Sequence, residues 1–188
     1  MKKLFTSLAL FSIASLVSIT AQADASNYNY VEGSYIEVES EDGLKFSGSL
    51  QFSENVFTRA SYWDIDQGPY SLSRTMFAIG ALMEASSNAT IYGLLGYTDL
   101  DAQISGLGSG SVDGWTGAVG IRSDVSENLE LNAEASRDSL ESSIDSTTIS
   151  VGGVYTLTEN LGITGKVGNI DFDGEDGTLY TLGVRFSF

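Results

Sequence analysis

Apolar and polar side chains alternate with a period of two along most of the chain beyond residue 27. A strand points successive side chains to opposite faces, so each such segment has one apolar wall and one polar wall. The last ten residues show the pattern most cleanly. Tyr180, Leu182, Val184, Phe186 and Phe188 share one parity, and Thr181, Gly183, Arg185 and Ser187 the other. Leu44, Phe46, Gly48, Leu50 and Phe52 likewise oppose Lys45, Ser47, Ser49 and Gln51. Phe77, Ile79, Ala81 and Met83 oppose Arg74, Gly80 and Glu84, and Trp115, Val119 and Ile121 oppose Thr116 and Arg122. Leu129, Leu131, Ala133 and Ala135 oppose Glu130, Asn132, Glu134 and Ser136, and the apolar face continues through Ile149, Val151, Tyr155, Leu161, Ile163 and Val167. Two segments are less regular, because Trp63 and Leu94 fall on the polar parity. The first segment is assigned with Val31 and Tyr35 on the apolar wall and Glu32 on the polar one, since a charge facing lipid is costly.

Four short motifs punctuate these segments: Ser53-Glu54-Asn55, Ser86-Ser87-Asn88, Ser126-Glu127-Asn128 and Thr158-Glu159-Asn160. Ser, Thr and Asn form turns through local side-chain hydrogen bonds. Longer acidic or Gly-rich links alternate with them, at 40–42, 67–71, 102–113, 138–146 and 171–177. Four turns and five links join ten strands, at about 27–39, 43–52, 55–66, 72–85, 89–101, 113–125, 128–138, 146–157, 160–171 and 178–188. An even number of antiparallel strands with short turns alternating with longer loops predicts an all-β, transmembrane, antiparallel up-and-down β-barrel. Ten strands is the first assignment and eight the alternative. A solenoid or a soluble sandwich fits the spacing less well, because the unit is a plain hairpin without a helix. In lipid the sheet must close, since an open edge would leave backbone groups unpaired in hydrocarbon.

The start of the chain is different. Met1-Lys2-Lys3 is basic, Leu4 to Ile19 is apolar and small apart from scattered Ser and Thr, and Ala21-Gln22-Ala23 has the small-x-small form of a cleavage site. The expected organisation is an export signal over 1–23 and one barrel domain over 24–188. The apolar run is too short for a helix that spans a bilayer, which needs roughly 20 residues.

Composition narrows the chemistry. The chain has neither Cys nor His, which removes disulfides, thiolate and imidazole metal sites and Ser-His-Asp hydrolysis. No enzyme and no cofactor are expected. Without Lys2 and Lys3, seven basic residues face 25 acidic ones, a net charge of about −18. Such a chain is repelled by nucleic-acid phosphates. Six of the seven basic residues, Lys45, Arg59, Arg74, Arg122, Lys166 and Arg185, fall on the inner parity, with Glu32, Glu84, Glu130 and Glu134. These lumen charges have two readings. They form a paired polar core that rigidifies a narrow barrel, or they line a narrow pore that selects ions or small solutes. The first matches a barrel of this size, since open aqueous channels are typical of 16 or more strands.

The links carry Glu37, Glu39, Glu41, Asp42, Asp64, Asp66, Asp99, Asp101, Asp138, Glu141 and Asp145. The last link, Asp171 to Gly177, places Asp171, Asp173 and Glu175 at alternate positions and so has a faint likeness to a calcium loop. It lacks the 12-residue frame and reads more simply as an Asp-Gly hairpin turn. The acidic links are expected to be solvated charge, with loose divalent bridging to lipopolysaccharide. Tyr28 and Tyr30 with Phe186 and Phe188 at one end, and Trp63, Tyr70, Tyr97 and Trp115 at the other, suggest two aromatic girdles.

The terminal Phe188 with aromatics at alternate positions before it resembles the sorting signal of bacterial outer-membrane β-barrels. The opening Tyr28 to Tyr35, the Ser53-Glu54-Asn55-Val56-Phe57 turn and the ending Leu182 to Phe188 are similar to a group of small proteobacterial outer-membrane β-barrel proteins. The resemblance implies the outer membrane of a Gram-negative bacterium, contact with its lipid and lipopolysaccharide, and handling by the barrel assembly machinery. It implies no active site. A monomer with a structural or surface-interaction role in the envelope is the expectation, and a narrow porin-like channel the alternative.

Overall fold

The computed structural model describes residues 27–188, apart from 69, 105, 107, 142 and 143. The expected export signal lies outside the described residues. Within them the chain forms ten strands: β1 (Tyr30–Val38), β2 (Glu41–Ser53), β3 (Val56–Gln67), β4 (Tyr70–Ser86), β5 (Ala89–Ile104), β6 (Gly108–Ser126), β7 (Leu129–Leu140), β8 (Ile144–Thr158), β9 (Leu161–Phe172) and β10 (Glu175–Ser187). Each pairs antiparallel with its sequence neighbours, and β1 pairs with β10 to close the barrel. Ten strands is therefore correct, and the eight-strand alternative is not.

The apolar wall faces out. Phe77, Ile79, Leu95, Val119, Ile149 and Leu182 are all exposed on the outer surface, where a water-soluble protein would place polar groups. This apolar band ends in aromatics, with Tyr97 and Trp115 edge to face at 6.4 Å. It matches a lipid-facing belt with an interfacial girdle. The first strand is placed as expected, with Tyr35 outside and Glu32 inside.

Every strand but β1 runs further into the links than the alternation predicts, and the links are correspondingly short. The 102–113 link is the clearest case. Ala102 to Ile104 pair with Gly108 to Gly110 and extend the β5–β6 hairpin beyond the girdle. Ala102, Gln103 and Gly108 to Gly110 are all exposed, so no buried wall imposes a period of two there. The 171–177 link is a tight turn with positive φ at Asp173 (53°) and Gly174 (87°), the pairing of φ values that suits a two-residue hairpin.

The four short turns share a further bond. Each Asn backbone carbonyl accepts an N–H from the following hairpin: Asn55 from Leu82, Asn88 from Asp124, Asn128 from Thr156 and Asn160 from Ser187. In three of them the Asn side-chain amide donates back to the carbonyl of that same residue. The backbone bond clasps each turn to the next strand, and three of the four carry the second bond as well. Asn29 completes the ring by accepting from Phe188.

Candidate functional site

Inward-facing residues fill the barrel in layers. At the end that carries both termini, the segment before β1 turns into the barrel instead of lying along its rim. Tyr28 is 0% exposed and sits between Phe57, ring centroid at 4.5 Å, and Tyr92, at 5.8 Å. Phe57 lies opposite Gly80, and Tyr92 lies opposite Gly120. A side chain at either glycine would meet the ring at 2.4 Å, so these two positions make the room the aromatics occupy. The girdle expected from Tyr28 and Tyr30 is corrected: both rings are buried inside the barrel. Trp63, also assigned to a girdle, lines the interior, while its neighbours there, Tyr97 and Trp115, are on the outer surface.

Charged pairs cross the lumen on these rings. Arg122 binds Glu130 through both carboxylate oxygens, at 3.0 and 2.5 Å, donates to the Asn27 carbonyl at 2.9 Å and stacks on Tyr28 at 4.4 Å. Arg185 pairs with Glu32 at 2.8 Å, approaches Glu130 at 3.9 Å and covers the Tyr30 ring at 4.1 Å. Arg59 pairs with Glu134 at 2.5 Å, and the Tyr92 hydroxyl donates to the same carboxylate oxygen. Arg74 pairs with Asp138 at 2.8 Å. In a poorly solvated interior, fork-shaped guanidiniums against carboxylates are the arrangement that satisfies both charges.

Nine of the ten lumen charges read from parity thus lie in the interior: Glu32, Lys45, Arg59, Arg74, Arg122, Glu130, Glu134, Lys166 and Arg185 all line it. Glu84 is the exception. It has the inward parity but lies exposed at the mouth near the turn, where β4 ends. Asp138, expected in a link, is instead an interior residue. Its parity with Glu130 and Glu134 is the signal for that placement. Arg137 is on the rim as expected, bound to Asp145 at 2.8 Å with both side chains well exposed.

Asp171, Asp173 and Glu175 do not converge. Across the turn Asp171 pairs with Asp176 and Glu175 with Phe172, so Asp171 and Glu175 face opposite sides of the hairpin, and the Asp171 carboxylate accepts the Gly174 N–H at 3.1 Å. Among the described residues no group of three or more acidic side chains is placed to hold a metal ion.

The charged pairs line a cavity of about 320 Å³ that runs to the far end of the barrel. A separate notch of about 20 Å³ opens at the terminal end. Arg122, Glu130 and Arg185 line both, so one ion-pair layer stands between them.

A closed ten-strand barrel with a lipid-facing apolar belt, an aromatic girdle and a charged interior defines a small transmembrane β-barrel of the outer-membrane type. The chain belongs to the outer membrane protein beta-barrel domain family, whose model matches residues 7–156. No curated protein matches it. Among solved structures it is similar in fold to the NanC porin, with a TM-score of 0.50 at 9% identity over 85% of this chain and 99% of that one. A KdgM porin in complex with disordered oligogalacturonate matches at 0.48 and 13%, over 85% and 99%. The N-terminal β-barrel domain of Pseudomonas aeruginosa OprF matches at 0.46 and 14%, over 86% and 99%. The protein is an outer-membrane β-barrel.

Proposed function

We propose that this barrel is a closed cup in the outer membrane, with a structural or surface-binding role, and not a conducting pore. The observation that carries the reading is the blocked terminal end of the lumen. Tyr28, Phe57 and Tyr92 pack there, and the Arg122–Glu130–Arg185 layer lies across what remains. A barrel of ten strands is narrow enough for such side chains to fill it. Glu32, Glu130, Glu134 and Asp138 are each bound to a guanidinium, which supports a non-enzymatic role.

With an even strand count both termini share one side. The cup then opens outward if that side is the periplasm, the side from which an exported chain with an N-terminal signal is assembled. Export by a cleaved signal at 1–23, recognition of the Tyr180-Leu182-Val184-Phe186-Phe188 strand by the assembly machinery, contact with lipopolysaccharide at the acidic rim and a monomeric state complete the proposal.

Planar-bilayer recording on the purified barrel tests it. The expected result is no unitary current. Reproducible single-channel steps would replace this reading with the narrow-pore one, which draws its support from the single layer that separates cavity and notch.

A further inference from the structure

The interior charges are unevenly placed, since Glu39 and Glu175 line the cavity from the outer end of the barrel while the six basic side chains lie below them. Four guanidiniums meet four carboxylates, but Lys45 and Lys166 both line the cavity and neither has a carboxylate within ion-pairing distance among the described residues. The Nε atoms of Arg59 and Arg74 and the Thr164 hydroxyl, which also line the cavity, are buried without a hydrogen-bond partner. Guanidinium and ammonium nitrogens only donate. A floor with two ammoniums outside any ion pair and unmet donors is suited to an anion.

The upper wall has the opposite character. Strand pairing places Ile65 and Leu72 side by side above Trp63, and Leu179 beside Val38, all beyond the level of Lys45. Ile36, Ile65 and Leu179 form one buried apolar cluster with Trp63 packed against it, and all four line the cavity. A water-filled channel has a polar lining; this one has an apolar collar over a cationic floor.

We infer that the cavity binds a small organic acid with an apolar body, its carboxylate on Lys45 and Lys166 and its body within the collar of Ile36, Trp63, Ile65 and Leu179. This rests on the closed-cup reading, since a ligand held at the floor needs the layer beneath it. Desolvated charge-assisted hydrogen bonds from two ammoniums would fix the head group, and burial of the body would supply affinity. The binding-site hypothesis fits the usual form of ligand pockets, apolar with a few convergent polar groups.

The test uses the refolded barrel in lipid nanodiscs, carrying Trp115→Phe on the lipid face so that Trp63 alone reports. Octanoate and 3-phenylpropionate are titrated against its fluorescence, with octanol, acetate and inorganic phosphate alongside. A saturable change with either apolar acid is expected, with octanol and the two small anions at least about tenfold weaker. Lys45→Gln with Lys166→Gln should weaken the apolar acid about tenfold while leaving octanol unchanged. Octanol binding as well as octanoate would overturn the inference, as would phosphate binding as well as octanoate. The octanol comparison uses the unaltered floor, so it decides even if the double variant fails to fold. Current steps with normal octanoate binding would sink the closed cup alone; silence without octanoate binding would sink the site alone.

Discussion

Glu32 and Arg185 face each other across the two terminal strands, so the seam that closes the barrel carries a guanidinium–carboxylate pair at 2.8 Å. Arg185 also reaches toward Glu130 and covers Tyr30, which joins the seam to the ion-pair layer below the cavity. Removing one partner leaves the other charge in a poorly solvated wall. Glu32→Gln should therefore destabilise the barrel by about 1–3 kcal/mol, read as a lower urea midpoint and a lower temperature at which the compact band on a detergent gel is lost. The double change Glu32→Gln with Arg185→Gln should recover part of the loss, and if it adds a second full loss the pair is not coupled.

Tyr28 is the residue whose removal should open the closed end. Its ring fills the space between Phe57 and Tyr92, and the adjoining Asn27 carbonyl accepts from Arg122. Tyr28→Ala leaves a void on the route from the notch to the cavity and frees one face of Arg122. Small, flickering conductance is expected in planar bilayers where the parent barrel is silent. A variant as silent as the parent would show that the ion-pair layer alone blocks the lumen.

Gly120 is set against the Tyr92 ring, and Tyr92 is held by its bond to Glu134. A flexible neighbour could move aside; a ring anchored at its hydroxyl cannot do so cheaply. Gly120→Ala should cost about 1–3 kcal/mol, measurable in urea. Gly165→Ala, where an added methyl meets nothing within 4 Å, serves as the control and should be nearly neutral.

Beyond the girdle two carboxylates titrate in opposite directions. The hydrogen bonds from Arg137 and then Ser139 hold Asp145 below the usual carboxylate value, whereas partial burial and then the neighbouring Asp101 push Asp99 above it. Asp145 therefore adds stability above its unfolded pKa of about 3.9, and that contribution fades as pH falls through its lower folded value. Asp99 acts in the reverse sense, opposing the folded state at neutral pH and ceasing to do so once protonated. Carboxyl NMR titration should place the Asp145 midpoint below the Asp99 midpoint. Arg137→Gln should raise the former and Asp101→Asn lower the latter; unmoved midpoints would refute these causes.

How far the sequence could be read depended on how each residue meets its surroundings. Wherever one wall faces lipid, the period of two is enforced, and strands such as β2, β4 and β10 were placed with their faces correct. The β5–β6 extension has no buried wall to enforce it and left no such trace. Asp138 reads as a loop residue because it stands where the strand gives way to the link that runs to Ser146, although its parity with Glu130 and Glu134 puts it inside. Phe57 and Tyr92 were missed for a related reason. An inward aromatic breaks the alternation, and only the glycine opposite, at 80 or 120, reveals that it fits. Lys45 and Lys166 were found by parity, but that they lack partners depends on which carboxylates the guanidiniums occupy, a property of the closed barrel and not of any one strand.

The asparagine clasps extend the turn motif from punctuation to adhesion. Asn160 donates its side-chain amide to the Ser187 carbonyl at 2.9 Å and accepts the Ser187 N–H on its own carbonyl at 2.8 Å. Ser187 ends β10, the strand that must find β1 to close the barrel. Asn160→Ala keeps the backbone acceptor and removes only the donor, so the Ser187 carbonyl loses one bond, worth about 1 kcal/mol. The equilibrium effect should be modest. Its larger expression should be kinetic, because the last strand would be tethered by one bond while the seam forms. Refolding into lipid vesicles, followed by the gel shift, should be slower for Asn160→Ala than for Asn128→Ala, where no side-chain bond of this kind is present. Equal refolding rates for the two variants would reduce the motif to an ordinary turn signal.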